Sequence, residues 1–415
     1  MRSILILLVV VSAAAAQQPR YDLVLKGGDV IDAKNHIDGV RDVAIVGGRI
    51  AQVAAQIDPA EARKLVNVSG LYVTPGLIDM HVHVFKRNNP PIAMQEEAVQ
   101  PDAFSFRSGV TTMVDAGSSG WKEFPEFRDR VIAKARTRVL AFLNIVGTGM
   151  GTGHENEAAE MDAAAAAKCA KENPDIIVGF KSAHYAGGGW PSVENAVKAG
   201  NLTGLPVMVD FGQITSYRNI DTLFMDKLRP GDIFTHCFSG HREEVLENGT
   251  LNPAMAAGRK RGIIFDIGFG QASFYWYVAV PAYQAGFYPD SISTDLHTNS
   301  MNGGMKNIDN VMADIMGLGS SFPDVVRMST WAPAQEIRRP ALGSLDIGAE
   351  ADVAVFRLET GRFGLLDSAG ARMPGTQRIL CELTLRKGEV AWDLNGLASE
   401  DWKTFHYRKG PFFKK

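Results

Sequence analysis

Cysteine is scarce in this sequence: three residues, Cys169, Cys237 and Cys381, among 415. A sparse, odd-numbered set excludes a disulfide framework, so stability must come from a buried core. An excess of charge of one sign is also lacking. The 43 basic and 46 acidic residues leave a net charge of -3. That balance gives no electrostatic footing for nucleic acid or an anionic membrane surface. A small molecule is the expected partner, and a homo-oligomer is compatible with the sequence. No apolar run approaches the roughly 20 residues needed to cross a bilayer.

The N-terminal apolar run has a different meaning. "MRSILILLVVVSAAAAQQ" places Arg2 ahead of an apolar stretch from Ile4 to Val11, then small residues up to Ala16. That is the order of a secretory signal peptide. Residues 1–16 are expected to be removed on export, to the periplasm or beyond, leaving a mature chain with no membrane segment.

The chain is longer than one ordinary core, which predicts a large domain and a smaller one. Both ends are strand-rich. "YDLVLKGGDVID" and "DVAIVGGRIAQVA" place Gly-Gly beside alternating apolar positions and predict hairpins. "LGSLDIGAEADVAVFRL" and "LTLRKGEVAW" form a matching piece near the other end. Residues 17–72 and 341–400 are therefore assigned to one β-sandwich, followed by a tail, 401–415.

The middle, 73–340, alternates short apolar runs with helical stretches. Eight runs read as strands: "GLIDMHVHV", "GVTTMVDAG", "VLAFLNIVG", "DIIVGFKSA", "LPVMVDFGQ", "DIFTHCF", "GIIFDIGFG" and "DSISTDLHT". "EFPEFRDRVIAKAR", "SVENAVKAG" and "NVMADIMGLG" read as helices between them. This α/β pattern and length predict a (β/α)8 TIM barrel. A doubly wound sheet has a similar rhythm, but no GxGxxG follows the first strand, which argues against a nucleotide fold.

In such a barrel, functional groups gather at the C-terminal ends of the strands. His81 and His83 end the first strand, two apart and so on one face. Lys181 ends the fourth, Asp210 the fifth; His236 belongs to the sixth and Asp295 to the eighth. Each has a bland reading alone, since a strand-end Lys is often solvated and an Asp often caps a helix. Six at one rim form a constellation. Cys237 adjoins His236, but neighbours on a strand face opposite ways, so only one of the two reaches a common point. Cys169, in the alanine-rich "EAAEMDAAAAAKCAKEN", reads as a small core residue of a helix.

"PGLIDMHVHV", "GFK", "THC", "STDLH" and the closing "GSLDIGAEADVAVF" together resemble the amidohydrolase superfamily over essentially the whole mature chain. "TTMVDAGSSGWKEFPEFRDRVI" and "DLHTNSMNGG" resemble its dihydroorotase-like deacetylase branch. The resemblance implies a hydrolase with two divalent ions, zinc first and manganese or iron next. His81, His83 and Asp295 would hold one ion, and His236 would help hold the second. Lys181 would bridge them as a carbamate, since an ammonium only donates hydrogen bonds. Asp295 would also be the catalytic proton carrier.

Two departures stand out. Related sequences usually carry His where Asp210 stands, and often "GHG" where this chain has Phe269. Asp210 is still expected to ligate, as a harder donor. Phe269 would alter the pocket.

Of the other histidines, His184 and His297 are candidates for substrate binding, while His154 and His241 read as loop residues. Lys86 and Arg87 read as a solvated loop. The expected function is hydrolysis of an N-acyl amide, a related ester or a cyclic amide. Two alternatives are a non-catalytic binding protein on a decayed barrel and a mononuclear deaminase, which would have no use for Lys181.

Overall fold

The structure is a computed structural model in which residues 19–87, 98–210, 212 and 218–407 are described. The expected signal peptide, 1–16, and the end of the expected tail lie outside the described residues. The chain opens with β1 (Leu23–Asp32), β2 (Ile37–Val46), β3 (Arg49–Ala54), β4 (Leu65–Asn67) and β5 (Tyr72–Pro75). Next come β6 (Leu77–Val82), β7 (Val110–Gly120), β8 (Arg138–Asn144), β9 (Ile177–Ser182), β10 (Val207–Val209), β11 (Ile233–Phe234) and β12 (Ile264–Phe265). β13 (Val353–Leu366), β14 (Arg372–Arg386) and β15 (Glu389–Asp393) close the chain.

One mixed sheet runs β15-β14-β13-β5-β1-β2-β3, with β4 beside β1. It joins the two ends of the chain, because β13 pairs antiparallel with β5, Val353 opposite Pro75. Gly47 and Gly48 make the hairpin turn between β2 and β3. Gly27 and Gly28 do not turn the chain. They lie at a bulge inside β1, where the register slips between Leu25 and Gly28. A Cβ on Gly28 would lie 2.4 Å from the Val73 side chain, so these glycines admit a close neighbour instead of a hairpin.

The second sheet is parallel throughout and follows chain order from β6 to β12. In place of the eighth expected strand is a segment, 291–296, held by isolated bridges. Ser291 bridges Asp266, and Leu296 bridges Val82 of β6. His83 N donates to the Leu296 carbonyl at 2.9 Å, so the sheet curls until its first and last strands share this segment.

Asp79 fastens that closure. Thr294 N and Oγ1 donate to its two carboxylate oxygens at 3.0 and 2.6 Å. Burial pushes the Asp79 carboxyl up to about 7, against the lowering effect of the Thr294 bonds.

Helices Ala163–Glu172, Pro191–Thr203 and Ile308–Gly317 lie where the sequence places them. The helix expected in "EFPEFRDRVIAKAR" is shorter: Phe124–Phe127 is α-helical and Arg128–Ile132 widens into a π turn. Cys169 is half-buried in its helix and packs against the core.

β13 and β14 form a hairpin longer than their apolar sequence suggests. The tip reaches the other sheet, where Ser368 N donates to the Phe274 carbonyl at 2.9 Å. Trp276 Nε1 donates to the Ala371 carbonyl at 3.0 Å.

Two outcomes test these contacts. Thr294→Val leaves a buried Asp79 oxygen without its hydroxyl donor, and is expected to cost about 1–3 kcal/mol in urea unfolding. An unchanged midpoint would show that the clamp carries no weight. Asp309, buried in the helix beneath β14, has one oxygen with no partner among the described residues. Burial holds its carboxyl well above the ordinary value of 3.8. The folded chain then keeps a proton that the unfolded chain releases. Stability from this group is full below about pH 4 and declines as pH rises above that. Asp309→Asn is expected to match the parent near pH 4 and exceed it by about 1–3 kcal/mol at pH 8, read by denaturant unfolding at both values.

Candidate metal centre

Strand alternation brings His81 and His83 to one cavity of about 210 Å³, which Lys181, His184, Asp210, His236, Asp295 and His297 also line. His83 Nε2 lies 3.0 Å from Asp295 Oδ1, and His81 Nε2 lies 3.5 Å from the same oxygen. Ligands 2.0–2.1 Å from a tetrahedral ion sit about 3.3 Å from one another. The spacing of Asp295 from each imidazole brackets that value.

The supporting shell fixes where the lone pairs point. Asp266 accepts hydrogen bonds from Thr235, Ser291 and Ser293 hydroxyls at 2.7, 3.0 and 2.7 Å. Thr235 thus spends its proton on Asp266, and its oxygen accepts from His81 Nδ1 at 2.9 Å. His236 Nδ1 donates to the Gly268 carbonyl at 2.5 Å. With Nδ1 carrying a proton in each ring, both rings turn Nε2 towards the cavity. Burial, with Lys181 beside it, holds the His81 pKa well below 6.5, which keeps the ring neutral. His83 Nδ1 meets Ser118 Oγ at 3.0 Å.

Two glycines make room. A Cβ on Gly268 would lie 2.4 Å from Thr235 Oγ1 and 2.9 Å from His236 Nδ1. One on Gly270 would lie 2.5 Å from Asp295 Oδ2. Three site residues hold positive φ themselves: His184 at 55°, His236 at 60° and Asp295 at 51°. Such backbone strain collects at functional sites because the surroundings must enforce it.

Burial alone would raise the Asp295 carboxyl, but the imidazoles of His297 and His83 that approach it hold it well below the ordinary value, so it remains an anion. Lys181 Nζ lies 3.1 Å from His81 Nε2. Burial lowers its pKa to about 8, against the pull of Asp210 and Asp295, so an appreciable fraction of the amine is neutral near pH 7–8.

Asp210 is differently placed. Its Oδ1 pairs with the Arg242 guanidinium, while Oδ2 lies 3.3 Å from His184 Nε2 and 3.4 Å from His236 Nε2. Burial would raise its carboxyl, yet Arg242 and the two imidazoles hold it well below the ordinary value. His184 also approaches Glu155 at 3.7 Å. Burial would lower its pKa, but the two carboxylates raise it to about 10 and keep the ring protonated.

The remaining candidates divide. His297 is buried, lines the cavity and meets the Asp295 carbonyl through Nδ1 at 2.7 Å. His154 is exposed beside Glu157. His241 Nε2 bonds the carbonyl of Ala272 on the cavity wall at 2.7 Å. Phe269 is buried away from the cavity lining and stacks on Phe274 at 4.5 Å. Cys237 is core-facing beside the inward-facing His236. Arg87 is not solvated: it is buried, paired with Glu123 and donating to the Ser118 carbonyl, so it braces the turn that supports His83. Sequence reasoning missed Arg242 and Glu155. An Asp in place of a neutral ligand calls for a buried counter-charge, and "SGHREE" supplies one.

No family model matches the chain. It is 32% identical over 340 residues to a deacetylase of Agrobacterium fabrum, spanning 79% of this chain and 81% of that protein. It is 30% identical over 380 residues to a deacetylase of Enterococcus faecalis, spanning 89% and 99%. Among solved structures it is similar to an adenine deaminase, with TM-score 0.81 and 29% identity over 90% of this chain and 100% of that one. A dihydroorotase gives TM-score 0.77 and 29% identity over 89% and 98%. Fold and site together define a metal-dependent amidohydrolase. The chain belongs to the amidohydrolase superfamily and is a hydrolase of carbon–nitrogen bonds other than peptide bonds.

The bond from Thr235 to His81 gives a test. Thr235→Val removes the acceptor that fixes the His81 tautomer, and zinc affinity is expected to fall about 10–100-fold, measured by competition with a chromogenic chelator.

Proposed function

We propose that this protein is an exported hydrolase that cleaves an N-acyl amide by water attack, in the manner of a deacetylase. Related esters or cyclic amides are the adjoining substrate classes. The observation that carries the reading is the meeting of His81, His83 and Asp295 within 4.8 Å, with Lys181 alongside. The likeness to two deacetylases over most of the chain supports the acyl-transfer chemistry. Export rests on the N-terminal sequence pattern. We also assign the parallel sheet and segment 291–296 to a (β/α)8 barrel at 73–340, with 17–72 and 341–400 as the second domain.

The donor set suits zinc, with manganese or iron as alternatives. A divalent ion there supplies Lewis acidity, lowering the pKa of a water from 15.7 to about 7 and polarising the scissile carbonyl. The chain's own residues do the rest. His81 holds a fixed Nε2 lone pair, and His83 presents its Nε2 to the same point beside Asp295. Asp295 directs Oδ1 to these imidazoles and keeps Oδ2 beside Gly270, where it can take the attacking water's proton and return it to the leaving amine. Lys181, buried and partly neutral, takes up CO₂: its nitrogen bonds the carbon and a proton leaves, giving an anionic oxygen donor. His184, protonated on the cavity wall with its two nitrogens towards Asp210 and Glu155, lends positive charge to the side of the cavity where a substrate oxygen would lie, and His297 flanks Asp295.

The test is hydrolysis by protein loaded with zinc and bicarbonate, across N-acyl amino acids, cyclic imides and esters. One class is expected to turn over, and Asp295→Asn to reduce kcat about 10²–10⁴-fold, the usual contribution of a positioned acid–base group. Equal rates for parent and variant on every class would overturn the assignment.

A further inference from the structure

The turn that follows β12 runs beside Asp295 and is tied from outside by the β13–β14 hairpin. Phe269 N and Gly270 N donate to the carbonyls of Ser293 and Thr294 at 3.2 and 2.9 Å, so the turn lies along the closing segment. Gly268 and Gly270 hold φ of 47° and 59°. Gly270 comes so close to Asp295 that a Cβ would meet Oδ2 at 2.5 Å. Ser368, at the hairpin tip, fastens this turn. Its backbone N donates to the Phe274 carbonyl at 2.9 Å, and its Oγ accepts from Phe274 N at 3.2 Å. The hydroxyl proton is then left for the carbonyls of Phe269 and Gly270, at 3.3 and 3.5 Å. The tip is itself well held. One oxygen of the buried Asp367 accepts from Ala369 N and Ala371 N at 3.0 and 2.8 Å, and the other from Trp276 N at 3.3 Å. Later in the chain than Asp295, Gly304 also packs on the tip, where a Cβ would lie 2.4 Å from the Asp367 carbonyl oxygen.

We propose that Ser368 is a positioning residue for the reaction: its hydroxyl holds the 269–270 carbonyls so that Gly270 stays against Asp295 Oδ2 and fixes the place of that oxygen. The inference rests on the proton-carrying role given to Asp295 and deepens it. The two carboxylate oxygens are set by different means. Oδ1 faces His81, His83 and His297 at 3.5, 3.0 and 3.6 Å, whereas Gly270 bounds Oδ2 by contact. A contact positions its partner only as firmly as its own backbone is held. Glycine has the widest backbone freedom of any residue, and two glycines flank Phe269, so this turn needs a tie from elsewhere. The stack of Phe269 on Phe274 at 4.5 Å orders the side chains, and Ser368 orders the carbonyls. Gln271, Ala272 and Ser273 lie between the two tied points and line the cavity. One hydroxyl from the other sheet thus steadies both the proton carrier and the wall against which substrate lies.

Ser368→Ala keeps the backbone donor and removes only the hydroxyl. On the substrate class that the zinc-loaded parent turns over, kcat per bound zinc is expected to fall about three- to tenfold, the worth of one neutral hydrogen bond. The solvent deuterium isotope effect on kcat is expected to rise, because proton transfer at Asp295 becomes slower relative to the other steps. A smaller share of folded protein would leave that effect unchanged. Ser368→Thr, which keeps a hydroxyl, is expected to restore both quantities, and Ala369→Ser, exposed at the same tip, to match the parent. Hydrogen–deuterium exchange of the Gly270 amide needs neither metal nor substrate, and is expected to quicken in Ser368→Ala by a like factor. Unchanged exchange would overturn the proposal, as would a loss of kcat with an unchanged isotope effect. A parent that turns over no substrate would instead remove the hydrolase reading, and exchange alone would then decide whether Ser368 fixes the turn.

Discussion

The grip of Asp79 on Thr294 is the contact on which the site depends. Asp79 lies two residues before His81, and Thr294 directly precedes Asp295. Joining them with two hydrogen bonds closes the curled sheet and delivers a carboxylate to two imidazoles in one act. A buried carboxyl earns its place only when its oxygens are satisfied. The closure therefore depends on polar chemistry inside an otherwise apolar core. Asp266 repeats the device at the next gap, accepting three hydroxyls from Thr235, just past β11, and from the closing segment.

Much of this was legible in the sequence because strand periodicity and chain order carry it. Runs such as "DIIVGFK" place Lys181 at a strand end before any coordinate is known, and β6 to β12 pair in chain order. The eighth run was harder. "DSISTDLHT" is polar for a strand, and its serines and threonines are spent on Asp79 and Asp266 instead of a continuous ladder. The glycines of "LKGGDV" misled because a bulge and a hairpin turn draw on the same residue type. Arg87 misled for a related reason. Sequence shows a charge near a strand end, but not the carbonyls of Ser118 and Thr148 that surround it.

The electrostatics of the cavity divide into two halves. Around Asp295 lie three imidazoles, with the Lys181 amine against one of them. Around Asp210 lie a guanidinium on one oxygen and, on the other, the protonated His184 and the His236 ring. Periodicity and motif spacing assign both carboxylates to the same rim but cannot tell these settings apart. The difference arises from Arg242, whose approach depends on the fold of the 239–244 loop.

The long β13–β14 hairpin has a temporal consequence. Its tip holds Phe274 and Trp276, immediately after Gln271, Ala272 and Ser273 of the cavity wall. Those contacts span 94 and 95 residues of sequence. As the chain leaves the ribosome, the imidazoles and Asp295 emerge first, and one wall of their cavity waits for Ser368 and Ala371. Domains generally fold as units during synthesis, N-terminal first, but this pocket draws its final support from strands that also complete the other sheet. A nascent chain can thus hold every ligand and still lack a finished substrate site.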